Sequence, residues 1–216
     1  KITSYGITSD GLYYTLSENG VVGKFLFLPH GEKSGKEIEL PFSAGAVYVG
    51  TKGFRFSDTW IYMMGWTNDF QRYRYTPQKN EFTLENLSST AEYPEFADLI
   101  VEELMIPSHD GVKVPLSLVY KKDIKKNGGN PVLFYGYGAY GSSMDPFFSP
   151  NLLLWAHAGG ILAVPHVRGG GELGDQWYKS GFKTTKPNTW KDLIACAEYL
   201  VAENYTSPKK IAINSA

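Results

Sequence analysis

The chain has 216 residues, of which 43% are hydrophobic, 15% aromatic and 20% charged, a globular composition that excludes disorder and suffices for one or two cores. A formal net charge of -1 leaves no electrostatic footprint for nucleic acid, and no run of Lys and Arg is long enough for an anionic membrane. The longest apolar stretch, Leu152 to Pro165, carries His157 and the Gly159-Gly160 pair and is too short to span a bilayer.

Residues 1 to about 95 hold short aromatic and β-branched runs broken by Gly, Asp, Asn and Pro, the pattern of consecutive antiparallel strands. Within them Leu12-Tyr13-Tyr14 recurs as Trp60-Ile61-Tyr62, Gly23-Lys24-Phe25 as Gln71-Arg72-Tyr73, and Ile38-Glu39-Leu40 roughly as Glu85-Asn86-Leu87, an offset of 47 to 48 residues. That period suits a four-stranded propeller blade of about 40 to 50 residues; a plain antiparallel meander with chance similarity is the alternative. The opening Lys1-Ile2-Thr3 falls in mid-pattern without a leader or an initiator Met, so the chain is expected to be a piece of a longer one. Compartment stays open between cytoplasm and periplasm.

The second half begins near Asp98. Ile100 to Pro107 and Val112 to Tyr120 alternate apolar and polar residues around Ser108-His109-Asp110-Gly111, whose Asp-Gly pair signals a hairpin turn. A polar connection, Lys121 to Asn130, leads to a short apolar strand, Pro131 to Tyr135, then to Gly136-Tyr137-Gly138-Ala139-Tyr140-Gly141. A short helix is predicted over Leu152 to His157 and a buried strand over Gly160 to Val167, ending in Arg168-Gly169-Gly170-Gly171-Glu172-Leu173-Gly174. The clearest helix runs from about Trp190 to Glu203. Thr189 and Asp192 form a variant capping box at its start, and Trp190, Leu193, Ile194, Ala197, Leu200 and Val201 share a face. Cys196, the only cysteine, sits in this apolar pattern and reads as a packed thiol with no disulfide partner. Lys210 to Ala216 read as a further buried strand running into small residues. Strand, helix and strand thus alternate as in a parallel sheet covered by helices, made mixed by its leading hairpin.

Several groups are candidates for chemistry. Gly169, Gly171 and Gly174 match G-x-G-x-x-G, but bulky residues follow the last Gly, and the next strand ends in Ile213-Asn214-Ser215 without the acidic residue a dinucleotide site requires. A tight loop in which Arg168 and Glu172 pair locally explains the cluster better, and no cofactor is expected. His30, His109, His157 and His166 are scattered without metal-ligand spacing, so no metal is expected, and structural roles are assigned to them. Gly136-Tyr137-Gly138 leaves a strand where α/β-hydrolases place an oxyanion donor, and a rigidly held phenol can supply one. Tyr137 is the candidate, against a plain packed aromatic. Read as the nucleophile of a G-x-S-x-G elbow, Ser215 would put β-branched Ile213 where the turn needs Gly, which disfavours that register.

Phe134-Tyr135-Gly136-Tyr137-Gly138-Ala139-Tyr140-Gly141, His166-Val167-Arg168-Gly169-Gly170-Gly171-Glu172-Leu173-Gly174, Ala197-Glu198-Tyr199-Leu200 and Tyr205-Thr206-Ser207-Pro208, in this order and spacing, closely resemble the prolyl oligopeptidase family of serine peptidases. The resemblance implies the terminal blades of a β-propeller over residues 1–97 and the first half of an α/β-hydrolase catalytic domain over 98–216, cut just before the nucleophile elbow. It implies a serine oligopeptidase acting on short peptides, after proline, through a Ser-His-Asp acyl-enzyme route, with the propeller limiting access. Tyr137 falls on the family's oxyanion tyrosine and Tyr140 on an aromatic of the substrate pocket, where Phe is commoner. The family's Asn-Gly-Gly-Ser places Ser215 and Ala216 on the two glycines, so the nucleophile Ser, with the triad Asp and His, is expected beyond Ala216 and the piece alone is expected to be inactive. Relatives that cut after basic residues share the same glycine segments, and a non-catalytic peptide-binding scaffold would keep them too. Apolar surface left uncovered by missing parts is expected to favour self-association.

Overall fold

Short antiparallel strands, two of the central ones alternating between buried and half-buried residues, build the first of two units. The computed structural model describes residues 1 to 215, which divide into Lys1–Glu92 with Asp145–Phe148, and Tyr93–Met144 with Ser149 onward. Strands β1 (Ile2–Ile7), β2 (Gly11–Glu18), β3 (Val22–Pro29) and β4 (Lys36–Ile38) form one antiparallel meander, and β5 (Ala46–Thr51), β6 (Thr59–Met64), β7 (Gln71–Thr76) and β8 (Glu81–Leu84) form the next. The repeat noted in the sequence is therefore structural: Tyr13 of β2 and Ile61 of β6, one period apart, are both fully buried. The inner faces meet in a core of Tyr13, Phe25, Val47, Ile61, Met63 and Tyr75. Its aromatic rings pack offset or edge to face, Tyr13 on Phe25 at 5.5 Å and Phe25 on Tyr75 at 5.6 Å between centroids. Phe147, from the segment Asp145–Phe148, sets its ring 5.5 Å from that of Trp66 in the same unit.

The second unit is built on a mixed sheet. β9 (Leu99–Pro107) and β10 (Lys113–Lys121) form the expected hairpin, with Lys113 opposite Pro107 and Gly111 at φ +81 in the turn. After them come β11 (Val132–Gly136), α1 (Pro150–His157), β12 (Ile161–Pro165), α2 (Asp175–Lys179), α3 (Pro187–Ala202) and β13 (Ile211–Ser215). The sheet order is β13-β11-β12-β10-β9, with β11 parallel to both β12 and β13 and β10 antiparallel to β12. From β11 the chain crosses through α1 to β12 on one side, and from β12 it crosses through α3 to β13 on the other. Right-handed crossovers in the two directions place these helices on opposite faces. The packing agrees, because Leu116, Leu118, Ile161 and Ala163 pack with Cys196 and Leu200 of α3, whereas Leu162 and Val164, whose side chains alternate to the other face, are buried like Leu153 and Ala156 of α1.

Three expectations are corrected. α3 begins at Pro187, three residues before the predicted Trp190, because proline suits the first helical turn, and neither Thr189 nor Asp192 caps it. Its buried residues are Thr189, Asp192, Cys196 and Leu200, while Trp190 and Ile194 are 49% and 51% exposed. The buried stripe is rotated because Asp192 meets a cation inside the unit. β13 is a strand as expected but not a buried one, since it pairs with β11 alone among the described strands and Ile213 is 61% exposed. The short helix α2 was not anticipated in the glycine-bounded stretch from Asp175 to Gly181. No helix among the described residues is long and apolar enough to cross a membrane.

Leu118 is fully buried in the middle of β10. Leu118→Ala should destabilise the chain by about 2 to 5 kcal/mol in urea titration, whereas Leu87→Ala, at a side chain 69% exposed, should stay within about 0.5 kcal/mol.

Candidate active site

The sheet order reverses around β11, so the carboxyl ends of β11, β12 and β13 come together at the kind of switch point where open α/β sheets bind ligands. Gly136 at the end of β11 is the register partner of Ser215 at the end of β13. Gly136, Tyr137, Pro165, Val167, Lys186 and Ser215 line a cavity of about 220 Å³ there, closed on its apolar side by Phe134, Leu193 and Ile213. A larger groove of about 590 Å³ runs between the hairpin turn and α3 past Ser108, His109, Lys191 and Glu198. Its lining includes no residue from the carboxyl ends of the parallel strands β11, β12 and β13, so the smaller cavity is the better candidate.

Tyr137 is half-buried and lies on this cavity. The turn that presents it is tightly specified. Gly138 is buried at φ +75, and a Cβ there would stand 2.4 Å from Val167 Cγ2, so only glycine fits. Gly169 is at φ +102, and its missing Cβ lets the Gly138 carbonyl approach. The Gly141 amide donates to the Gly169 carbonyl at 3.0 Å, and Lys186 Nζ donates to the Gly138 carbonyl at 2.6 Å. Burial lowers the Lys186 pKa below the usual lysine value. Tyr140 is 84% exposed, and its ring stacks on that of Tyr137 at 6.4 Å between centroids. Its φ of +56 is strained for a bulky residue, as is common where function constrains the backbone. Ser215 lies on the rim of the cavity, and Ala216 lies outside the described residues.

A buried ion-pair network holds this region. Arg168, 3% exposed, sends Nε to Asp192 Oδ2 at 2.9 Å and Nη2 to Asp192 Oδ1 at 2.6 Å. Its Nη1 reaches Asp110 Oδ2 at 2.6 Å. The backbone N–H of Arg168 donates to Asp192 Oδ2 at 3.0 Å, Ser108 Oγ donates to Asp192 Oδ1 at 2.6 Å, and Thr189 Oγ1 donates to the Arg168 carbonyl at 2.6 Å. The guanidinium thus joins the exit of β12, the first turns of α3 and the β9–β10 turn. The expected local pair of Arg168 with Glu172 is corrected, because Asp192 and Asp110 take the cation instead. Hydrogen bonds to Asp192 and Asp110 raise the Arg168 pKa against the effect of burial, and the Arg168 hydrogen bond holds the Asp110 carboxyl down to about 2. Glu172, 3% exposed, accepts the Met144 N–H at 2.9 Å and lies 3.7 Å from His166 Nδ1.

The histidines are dispersed. His109 Nδ1 lies 3.1 Å from Ser108 Oγ, His157 stands edge-on to Phe96 at 6.2 Å, and His166 Nε2 lies 2.9 Å from the buried Ser117 Oγ. His30 Nε2 lies 3.1 Å from the Thr8 carbonyl. Among the described residues no cluster of His, Cys, Asp and Glu could hold a metal ion. Cys196 is fully buried, and burial, with the Asp192 charge adding, pushes its thiol pKa up. Lys186 and the pairing of Arg168 with Asp192 were not anticipated from the sequence. Opposite charges set at otherwise apolar positions, one after a buried strand and one on a helix, were the available signal.

The fold and the cavity define the class: an α/β-hydrolase sheet accompanied by antiparallel β-propeller blades. Residues 146–214 match a family model described as the prolyl oligopeptidase family. A dual function macrocyclase-peptidase of Galerina marginata is 40% identical over 148 residues, which are 67% of this chain and 20% of that protein. A prolyl endopeptidase of Elizabethkingia meningoseptica is 43% identical over 115 residues, 53% of this chain and 16% of that protein. Among solved structures, apo prolyl oligopeptidase B from Galerina marginata superposes with a TM-score of 0.82 at 29% identity, over 100% of this chain and 31% of that one. The chain belongs to the prolyl oligopeptidase family, and it spans about a fifth of the length of the curated relatives it matches.

Removing one partner of a buried ion pair strands the other charge, so Asp192→Ala should destabilise the chain by about 3 to 5 kcal/mol in denaturant titration. Asp110, 37% exposed at its side chain, should matter less. Its folded pKa, about 2, lies below the unfolded value, so its contribution is complete above about pH 4 and is lost as pH falls toward the folded pKa. The stability gap between the wild type and Asp110→Asn should close over that interval in acid titrations.

Proposed function

We propose that this chain is part of a serine oligopeptidase that hydrolyses short peptides after proline. Residues 1–97 are read as the last blades of its propeller and 98–216 as the first half of its catalytic domain. One observation carries the reading: the ends of three neighbouring parallel strands open on a single cavity beside Tyr137. In this scheme a serine hydroxyl following the last strand attacks the scissile carbonyl. A histidine takes its proton and returns it to the departing amine, and an aspartate orients that histidine; all three are supplied beyond Ala216. The attacked carbonyl oxygen becomes negative, and the Tyr137 hydroxyl donates a hydrogen bond to it. Tyr140, stacked on Tyr137 and exposed, is assigned to the contact with the substrate residue preceding the cut. The names of the relatives support a peptidase acting at proline.

The longer protein should cleave proline-containing peptides and take up a fluorophosphonate label, and Tyr137→Phe in it should lower kcat by about 10²- to 10³-fold, the usual effect of losing one oxyanion donor. The 216-residue chain alone should do neither. A fluorophosphonate adduct on Ser215 of the short chain would overturn the assignment of the nucleophile. Exposed Trp190, Ile194 and Ile213 favour association of the isolated chain, expected as a mass above the monomer in light scattering.

A further inference from the structure

The Gly138 carbonyl belongs to the residue immediately after Tyr137, in a left-handed turn that has left the sheet ladder. A backbone carbonyl so placed in a buried residue needs a donor, because an unmade hydrogen bond there is costly. Lys186 supplies it at 2.6 Å from Nζ. Among the described residues lining the cavity, Lys186 alone carries a charge. An ammonium on a carbonyl in a partly desolvated place makes a stronger bond than a neutral donor would.

The other end of this tether is fixed. Lys186 directly precedes Pro187, the first residue of α3. Three residues on, Thr189 Oγ1 holds the Arg168 carbonyl, and the Asp192 carboxylate holds the Arg168 guanidinium and N–H. Asn188 Nδ2 meanwhile donates to the Ser180 carbonyl at 2.9 Å. The lysine therefore reaches from a pinned helix start across to the peptide that carries the phenol.

We infer that Lys186 is a positioning residue for the site: its ammonium, anchored by the start of α3, fixes the Gly136-Tyr137-Gly138 turn and so sets where the Tyr137 hydroxyl points. The inference rests on the reading of Tyr137 as the oxyanion donor. Lys186 touches no reacting atom in this scheme, and its effect passes through the backbone.

The test has two arms. In the 216-residue chain, followed by amide hydrogen exchange, Lys186→Met should speed exchange at Gly141 and Ser142, the amides that close the turn onto Gly169 and Ala139, by about tenfold or more. Leu116 and Leu118 in β10 should stay protected, and Lys186→Arg, which keeps a cationic donor, should restore most of the protection. In the longer protein, Lys186→Met should lower kcat by about 10- to 100-fold with little change in KM, the size of effect expected from a small misplacement of a catalytic group. Lys191→Met, which removes a charge from the exposed face of the same helix, should leave kcat unchanged. Added to Tyr137→Phe, Lys186→Met should cost less than twofold more, because the two act as one unit. Full additivity, or unchanged exchange in Lys186→Met, overturns the inference. A Tyr137→Phe enzyme that loses activity beside a Lys186→Met enzyme that does not defeats the positioning role alone; an unimpaired Tyr137→Phe enzyme defeats the oxyanion reading and the positioning role with it.

Discussion

The arrangement of strand ends in the second unit depends on one buried cation. Arg168 emerges from β12 with a guanidinium that cannot remain unpaired at 3% exposure. Asp192, itself fully buried, answers it with both carboxylate oxygens, and Asp110 adds a second anion from the hairpin turn. Bidentate pairing of this kind sets direction as well as distance. A shift of α3 along its axis would break hydrogen bonds between buried partners that water does not reach, and a shift of the hairpin would break those made by Ser108 and the more exposed Asp110. A buried ion pair adds little net stability relative to an apolar core, so its value here lies in specifying one arrangement.

The cavity inherits that specification. The Gly138 turn lies against Val167 and under Gly169, and Thr189 clasps the backbone of Arg168 itself. Glycines at 138 and 169 allow backbone to lie on backbone where a Cβ would force the loops apart. The result is a rigid floor at the carboxyl ends of three strands, while the strained Tyr140 and the exposed Ser215 stand at its edge. Rigid framework below and exposed loop residues above is the usual division of labour in α/β sheets, where loops carry function on a scaffold that does not move.

Different parts of this protein were legible in the sequence to different degrees. The hairpin around Asp110-Gly111 was readable because turn chemistry and alternation are local. So was the blade repeat, since Tyr13 and Ile61 face the same way for the same reason. The glycine segments around Tyr137 and Gly169 were recognisable as a family pattern, and the strand ending at Ser215 could be placed. The exposure of β13 could not be read, because an apolar run by itself does not say how many neighbours a strand has, and here β13 pairs with β11 alone among the described strands. The start of α3 was misread too: Thr189 and Asp192 have the spacing of a capping box, yet both side chains turn to Arg168. Local spacing cannot reveal that a cation more than twenty residues earlier in the chain competes for them.

What the sequence determined by itself was therefore the order and type of the main elements, since hydrophobic period and turn residues act between near neighbours. What only the tertiary structure decided was which polar groups meet. The partnership of Arg168 with Asp192 and Asp110, the reach of Lys186 to the Gly138 carbonyl, and the face α3 buries all depend on crossovers that bring distant segments within hydrogen-bond range. Such bonds are specified by angles and tenths of an ångström, a scale that the order of residues along the chain does not encode.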